Sequence, residues 1–414
     1  VYLLWLAGLS LALLVIVIAV GYLKDVNIGV LSLGAALLVS QLGGLDGRDV
    51  MDGWPTSLFF LLLGVTFLFS IMRVNGSLQR ITEHLIWRFR HRPAALLWLF
   101  FALSFALAAV GPGNIAVCAI MLPLALAVVS HPAHHNPLLV TAFVITGANM
   151  GGLSPLAPTG IIAIELARDL GILVGSSVFV HVFLLSLPLL MAYYLFLPKG
   201  ALASGKLRID PPKPMHRDHW LSMAALGFLV AAVMGYGLQV GIAAFGAAAF
   251  LLLATDVSER QVTALMPWGT LILISGVAVY THVAASVGGI ALLSQLLMAL
   301  MGEATAASLL AVVAGLFSLV SSASGVAMPA LFPTTPSLGA DLPAVGTPLL
   351  MTAIVVGSHA VTLSPISTLG ALALTALPLE ERKKQFFVQL LLLAVASLAL
   401  SALLLLAVSL YHIR

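Results

Sequence analysis

The sequence predicts an all-α polytopic membrane protein of two inverted repeats, each with five transmembrane helices plus one re-entrant hairpin, or about 10 transmembrane helices and 2 hairpins in all. Three observations predict it. First, 61% of the 414 residues are hydrophobic and only 8% are charged, with a mean hydropathy of +1.14. Apolar stretches of membrane-spanning length recur along the chain. Second, Leu-Ser-Pro-Leu-Ala-Pro-Thr-Gly-Ile-Ile-Ala at 153–163 returns as Leu-Ser-Pro-Ile-Ser-Thr-Leu-Gly-Ala-Leu-Ala at 363–373. Each interrupts a helix inside an apolar run, where an unpaired backbone group costs several kcal/mol unless protein, water or solute satisfies it. Matched breaks of this kind mark a solute-binding site. Third, the basic residues divide unequally between the two ends of the expected helices.

In chain order, helices are expected at 2–22, 26–43 and 57–73, followed by an amphipathic segment at 74–92. A long apolar stretch at 93–130 breaks at Gly111-Pro112-Gly113-Asn114. A helix broken near 150–158 occupies 137–170, and another lies at 174–197. The second half repeats this order, with helices at 219–236, 238–254 and 266–283 and a weakly amphipathic stretch at 286–302. An interrupted stretch at 304–336 breaks at Ser321-Ser322-Ala323-Ser324-Gly325. A broken helix at 345–377 and a last helix at 386–411 complete the order. Landmarks align between the halves: Gly29 with Gly241, Trp54 with Trp268, Asn75-Gly76-Ser77-Leu78 with Val287-Gly288-Gly289-Ile290, Pro123 with Pro333, and Gly147 with Gly357. Chance is unlikely to keep five such matches in order.

With the N-terminus outside, 15 of the 18 basic residues fall in cytoplasmic loops, and only Arg48, Arg168 and Arg414 fall outside. The positive-inside rule then places both termini on the extracytoplasmic side, in a membrane expected to be a bacterial inner membrane. It also requires 93–130 and 304–336 to enter and leave on one side, as re-entrant hairpins. Five crossings per half is odd, so the second repeat is inverted. A linker at 198–218, rich in Lys, Pro and His, joins the halves in the cytoplasm.

The pI near 9.1 reflects those basic loops, and no nucleic-acid partner is expected. The single cysteine, Cys118, excludes an intramolecular disulfide and reads as a small apolar core residue. The chain opens at Val1 directly on an apolar run without a cleavable-signal pattern, which is compatible with a trimmed leader.

Four breaks are expected to face one mid-membrane region: the hairpin tips at 111–114 and 321–325, and the helix breaks at 154–159 and 364–368. Each is followed by a half-helix, whose N-terminus carries unpaired N–H groups and about half a positive charge. Four converging N-termini would hold an anion without Lys or Arg. Carbonyls, hydroxyls and amides before each break are hard oxygen ligands of the kind Na⁺ takes in discontinuous helices. The anion-contacting candidates are Gly113, Asn114, Ile115, Pro158, Thr159, Ser324, Gly325, His359, Ser367 and Thr368. The Na⁺ candidates are Gly113, Asn114, Asn149, Gly152, Ser154, Ser322, Ser324, Thr362 and Ser364. Capping of the half-helices is the alternative role for the hydroxyls and Asn114, and a carbonyl-bonded core histidine is the alternative for His359. The cluster His131, His134 and His135 reads as a solvated loop. Among the carboxylates only Glu165 is expected within the membrane, which counts against a proton pump or cation transporter.

These tips and breaks resemble the ion transporter superfamily, whose members share inverted repeats, two re-entrant hairpins and two broken helices. The first hairpin pairs Gly111-Pro112-Gly113-Asn114 with Met121-Leu122-Pro123-Leu124, and the second pairs Ser322-Ala323-Ser324-Gly325 with Leu331-Phe332-Pro333. Both are similar to the tips of divalent-anion/sodium symporters, without the Ser-Asn-Thr triplet those carry. The first tip and the Ser-Pro-Leu-Ala-Pro-Thr-Gly break resemble MatC-type malonate/dicarboxylate carriers more closely. The resemblance implies Na⁺-coupled symport of a small dicarboxylate, malonate or a C4 acid, by an elevator motion in a homodimer. It implies a scaffold at 1–92 and 219–303 and a moving transport domain at 93–197 and 304–414, about the linker at 198–218.

The alternative within the same fold is a dicarboxylate exchanger, or an antiporter of another oxyanion, arsenite or Na⁺. An enzyme is not expected: the chain has no His-Glu-x-x-His motif and no paired intramembrane Asp. Matched helix breaks favour alternating access over a channel.

Overall fold

A computed structural model of the chain describes residues 2–129, 137–174, 177–198, 211–377 and 382–413. The histidine cluster at 131–135 and most of the linker at 198–218 lie outside them. The described residues are all helical or connecting, with no strand among them.

The first half runs α1 (Tyr2–Lys24), α2 (Ile28–Gly43), α3 (Gly47–Asp52), α4 (Thr56–Val74) and α5 (Ser77–Arg88). It continues through α6 (Pro93–Ala109), α7 (Gly113–Val129), α8 (Pro137–Gly152), α9 (Pro158–Asp169) and α10 (Ser177–Phe196). The second half repeats the order with α11 (Arg217–Tyr236), α12 (Val240–Ala254), α13 (Glu259–Leu265), α14 (Trp268–Ser286) and α15 (Gly289–Met298). Then follow α16 (Ala306–Leu319), α17 (Met328–Leu331), α18 (Thr335–Asp341), α19 (Gly346–Ala360), α20 (Thr368–Ala376) and α21 (Lys383–Ile413). Seven spans are long and apolar enough to cross a membrane by themselves, and the bent α16–α18 pair would make an eighth. Helices α2 and α12, at 16 and 15 residues, are apolar but about 24 Å long or less, short of the roughly 30 Å hydrocarbon core, and pack on the longer α14 and α4.

Two short helices depart from the sequence expectation. Helices α3 and α13 precede α4 and α14 in corresponding places, and both segments were expected as loops. Their polarity hides them: α3 contains Arg48, Asp49 and Asp52 and stands on a capping box between Asp46 and Asp49. The second hairpin also departs from a simple pair. Its returning arm is a π turn at Ala323–Ala327, α17, a 3₁₀ turn at Phe332–Thr334 and α18, and it runs to Asp341 rather than 336. Pro329, Pro333 and Pro336 each remove a backbone donor from this arm, which explains its segmentation. Its two arms meet at 117°.

Packing between the halves is reciprocal. Helix α2 packs on α14 and its counterpart α12 packs on α4; α1 packs on α15 and α11 on α5. Such exchange of equivalent partners is what a two-fold relation produces. Glycines make the main crossings close. A Cβ on Gly276 would lie 2.1 Å from the Gly29 carbonyl oxygen, and one on Gly64 would lie 2.5 Å from the Gly241 carbonyl oxygen. Helices in lipid associate through such close backbone approach rather than through hydrophobic exclusion. The hairpins use the same device. Gly147 and Gly151 of α8 face the carbonyls of Phe101 and Phe105 in α6, and Gly357 of α19 faces Ala311 in α16.

The broken helices sit deepest. Every residue from Leu138 to Gly152 is buried, as is every residue from Leu350 to Ala360. One apolar cluster joins α4, α12 and α14 to α9, α16 and α19, a second joins α6, α7, α8, α20 and α21, and a third joins α1, α2 and α14.

Two outcomes follow from this arrangement. Gly276→Val forces side-chain atoms into the Gly29 backbone, so thermal unfolding in detergent should show a loss of about 1–3 kcal/mol, while Gly34→Ala, facing open space, should be near neutral. In a Cys118→Ser background, cysteines at the equivalent exposed positions Gln79 and Ala291 should react with an impermeant maleimide from opposite faces of a proteoliposome. Labelling from one face would contradict the inversion.

Candidate functional site

The two helix breaks are built alike, residue for residue. Ser154 accepts from the Leu156 N–H at 3.3 Å through its hydroxyl and from the Ala157 N–H at 2.9 Å through its carbonyl. Ser364 does the same for Ile366 and Ser367 at the same distances. Proline after each serine disfavours helical continuation, and the serine then accepts the donors that the helix has released. Gly160 and Gly370 let the new half-helices turn tightly over these serines; a Cβ at either would lie 2.1 or 2.0 Å from the serine carbonyl oxygen.

The hairpin tips are built differently. Gly111 and Gly113 have φ of +139° and +77°, a region that favours glycine. Gly111 abuts the Phe69 ring and Gly113 abuts Pro158, so the first tip rests on α4 on one side and on the start of α9 on the other. Asn114 opens α7 and its Oδ1 accepts from the Ile115 N–H at 2.9 Å. At the second tip, Ser322 caps the π turn by accepting from the Gly325 N–H at 3.1 Å. Gly325 stands against Leu273 of α14.

A chain of side-chain hydrogen bonds crosses between the repeats. Asn114 Nδ2 donates to Asn149 Oδ1 at 2.9 Å, and Asn149 Nδ2 donates to Thr362 Oγ1 at 2.7 Å. Thr362 Oγ1 donates in turn to the His359 carbonyl at 2.7 Å. The Asn114 side chain is therefore held on both sides, by Asn149 through one amide N–H and by the Ile115 N–H through its oxygen, which leaves its second amide N–H to face the cavity. Ser367 Oγ is likewise held, by the carbonyls of Thr362 at 2.7 Å and Ser364 at 2.9 Å.

A cavity of about 280 Å³ reaches both tips and both half-helix starts. Asn114, Pro158, Ser324 and Thr368 line it, together with Gly113, Ile115 and Thr159 from the expected set. Helix α4 supplies its outer wall with Thr66, Phe69, Ser70 and Arg73. A smaller cavity of about 30 Å³ lies between the tips and the second break, lined by Asn114, Ser322, Ser324, Thr362, Ser367 and Thr368 among others. The structure thus brings together Gly113, Asn114, Ile115, Pro158, Thr159, Ser322, Ser324, Thr362, Ser367 and Thr368 around two cavities that share Asn114, Ile115, Ser324 and Thr368 in their walls. Gly152 packs on Asn114 from behind. Ser154, Ser364 and Gly325 lie in the breaks and the second tip without lining either cavity.

His359 is placed elsewhere. It lines a third cavity, also about 30 Å³, behind the breaks with Asn149, Tyr193, Thr362 and Ser401. Its Nδ1 bonds the Val355 carbonyl at 2.8 Å, and its buried Nε2 has no partner. Glu165, the carboxylate expected in the membrane, is buried and paired with Arg168 at 2.5 Å. Among the described residues no group of three or more His, Cys, Asp or Glu could hold a metal ion, so a cation here would meet neutral oxygens. Sequence reasoning missed the α4 wall, because Thr66, Phe69, Ser70 and Arg73 sit in an ordinary span. Their spacing of 3, 4 and 7 residues from Thr66 places them on one helical face.

The Asn149–Thr362 bond is the one place where the hydrogen-bond chain passes from one repeat to the other. Thr362→Val, of nearly equal shape, leaves the buried Asn149 amide without its acceptor. Thermal unfolding in detergent should show a loss of about 1–3 kcal/mol, and Thr362→Ser should restore most of it.

Residues 7–152 match the family described as dicarboxylate carrier protein MatC N-terminus. A curated relative from Haemophilus influenzae, described as an uncharacterized transporter, is 22% identical over 294 residues. That match spans 65% of this chain and 63% of the relative's length. The crystal structure of the YdaH transporter from Alcanivorax borkumensis, reported to have an unusual topology, superposes with a TM-score of 0.60 at 14% identity. It covers 98% of this chain and 97% of that one, which establishes a shared fold. By its first hairpin and broken helix together with these likenesses, the chain resembles the MatC-type dicarboxylate carriers.

Proposed function

We propose that the protein is a secondary active transporter of a small dicarboxylate, malonate or a C4 acid, coupled to Na⁺ and working by an elevator motion. The observation that carries this reading is the convergence of three half-helix starts and the second tip's π turn on one cavity with no carboxylate in its wall; one cation, Arg73, lines it where a site without Lys or Arg was expected. The starts of α7, α9 and α20 bring helix N-termini with their partial positive charge to it, and together they suit an anion with two carboxylates. The MatC family description supports the dicarboxylate class.

Na⁺ is supported by the oxygen chemistry beside the tips. Hydroxyls of Ser322, Thr362 and Ser367 and backbone carbonyls at the breaks surround the small cavity, and these are hard, neutral ligands. Loading Na⁺ first would offset the anion's charge, since moving an uncompensated charge through the membrane is costly. The hairpins, broken helices, α10 and α21 would move as the transport domain against a scaffold of α1–α5 and α11–α15, within a homodimer. The basic face carrying Arg73 would be cytoplasmic, with both termini outside, and the membrane would be a bacterial inner membrane.

Reconstituted protein should take up radiolabelled malonate or succinate when an inward Na⁺ gradient is imposed, and much less when K⁺ replaces Na⁺. Uptake of neither acid would overturn the dicarboxylate reading. Uptake indifferent to Na⁺ but accelerated by internal anion would favour an exchanger. Under Na⁺ coupling, Ser322→Ala, which removes a hydroxyl from the residues lining the small cavity, should raise the half-saturating Na⁺ concentration severalfold with a smaller change in maximal rate.

A further inference from the structure

The inverted repeat builds two chambers on opposite faces of the molecule. One is the cavity that reaches the tips. The other, of about 500 Å³, lies between α3, α4, α9, α14 and the second hairpin. Their walls correspond position by position. Thr66, Phe69, Ser70 and Arg73 of α4 line the first chamber. Their counterparts in α14, namely Ala278, Thr281, His282 and Ala285, line the second. Ala119 of the first hairpin likewise corresponds to Pro329 of the second.

The repeat duplicates the walls but not their charges. Arg73 is the single charged side chain among the described residues lining the first chamber, and its counterpart is Ala285. The second chamber is lined instead by Asp52, Glu165 and Asp169. Arg73 forms no ion pair among the described residues, whereas Glu165 is paired with Arg168. The last turn of α4 is a favourable place for any cation, beside the helix C-terminus. That alone does not account for an exposed arginine without an ion pair at the wall of a chamber whose other lining residues are apolar or neutral. A low-dielectric cleft lined by one sign of charge concentrates the counter-ion and accelerates its capture by about 10- to 1000-fold.

Resting on the transporter reading above, we propose that Arg73 makes substrate capture sided: it is an anion-receiving group that gives the chamber on its face the higher apparent affinity for the dicarboxylate. The acidic chamber on the other face lacks this aid. Arg73 belongs to α4, so it acts on the anion entering or leaving and leaves the tip contacts to the hairpins. A group of this kind changes the half-saturating concentration on one face, weakens as salt screens it, and leaves maximal turnover largely intact.

The test uses full-length protein in proteoliposomes with malonate as probe and Gln79→Cys labelling to identify the Arg73 face. At low ionic strength and fixed Na⁺, Arg73→Gln should raise the half-saturating malonate concentration on that face by about tenfold. It should leave the opposite face within about twofold, and Arg73→Lys should restore most of the loss. Added choline chloride should erode the difference between wild type and Arg73→Gln. Equal effects on both faces, or no salt dependence, would overturn the proposal. Should Arg73→Gln fail to fold, wild-type protein still decides it, because capture on the Arg73 face alone should weaken with salt. Wild-type protein that moves neither malonate nor succinate would instead overturn the dicarboxylate reading on which the proposal rests.

Discussion

Backbone polar groups cannot be left unpaired in hydrocarbon, and this requirement organises the whole molecule. Two helices stop mid-span at Ser154-Pro155 and Ser364-Pro365, and each releases donors and acceptors where water is scarce. The serines recover part of them with the same pair of bonds in both halves. The remainder must meet protein or solute. This is why α8 and most of α19 are buried throughout, and why each hairpin tip lies beside a break. Burial of the breaks in turn demands closely packed neighbours. The glycines at 147, 151 and 357 meet that demand by bringing carbonyls of the hairpin arms within contact of the broken helices.

The pseudo-symmetry is close in helix order and crossings and looser at the hairpin tips and in polar side chains. Glycine crossings, helix order and serine bonds recur in both repeats, since close backbone packing leaves little room for substitution. The tips do not recur: two positive-φ glycines and Asn114 form one, while a Ser322-capped π turn forms the other. The hydrogen-bond chain Asn114–Asn149–Thr362–His359 has a direction as well, running from the first tip into the second break.

The same divergence separates the two chambers electrically. A wall of neutral residues with one guanidinium on one face opposes carboxylates on the other, although both are built from equivalent helical faces. Such fields act at a distance and need no direct contact with a bound anion.

Much of this was legible in the sequence because a bilayer restricts what a chain can do. Apolar length marks the spans, and repeated Ser-Pro breaks mark the centre. Asn114, Ser324, Thr159 and Thr368 could be assigned to one region from those signals alone, and they do line one cavity. Helices α3 and α13 were not legible, because short polar helices carry no apolar span. The placement of His359 behind the breaks was hidden for another reason: position along a helix fixes depth but not which side of the break a ring enters. Only the tertiary structure decided which side chains are tied to other residues, as at Asn114 and Ser367, and which face of α4 closes the cavity. Those outcomes depend on hydrogen bonds and contacts between residues far apart in the chain, whereas the spans and breaks are set locally by hydrophobicity, proline and charge.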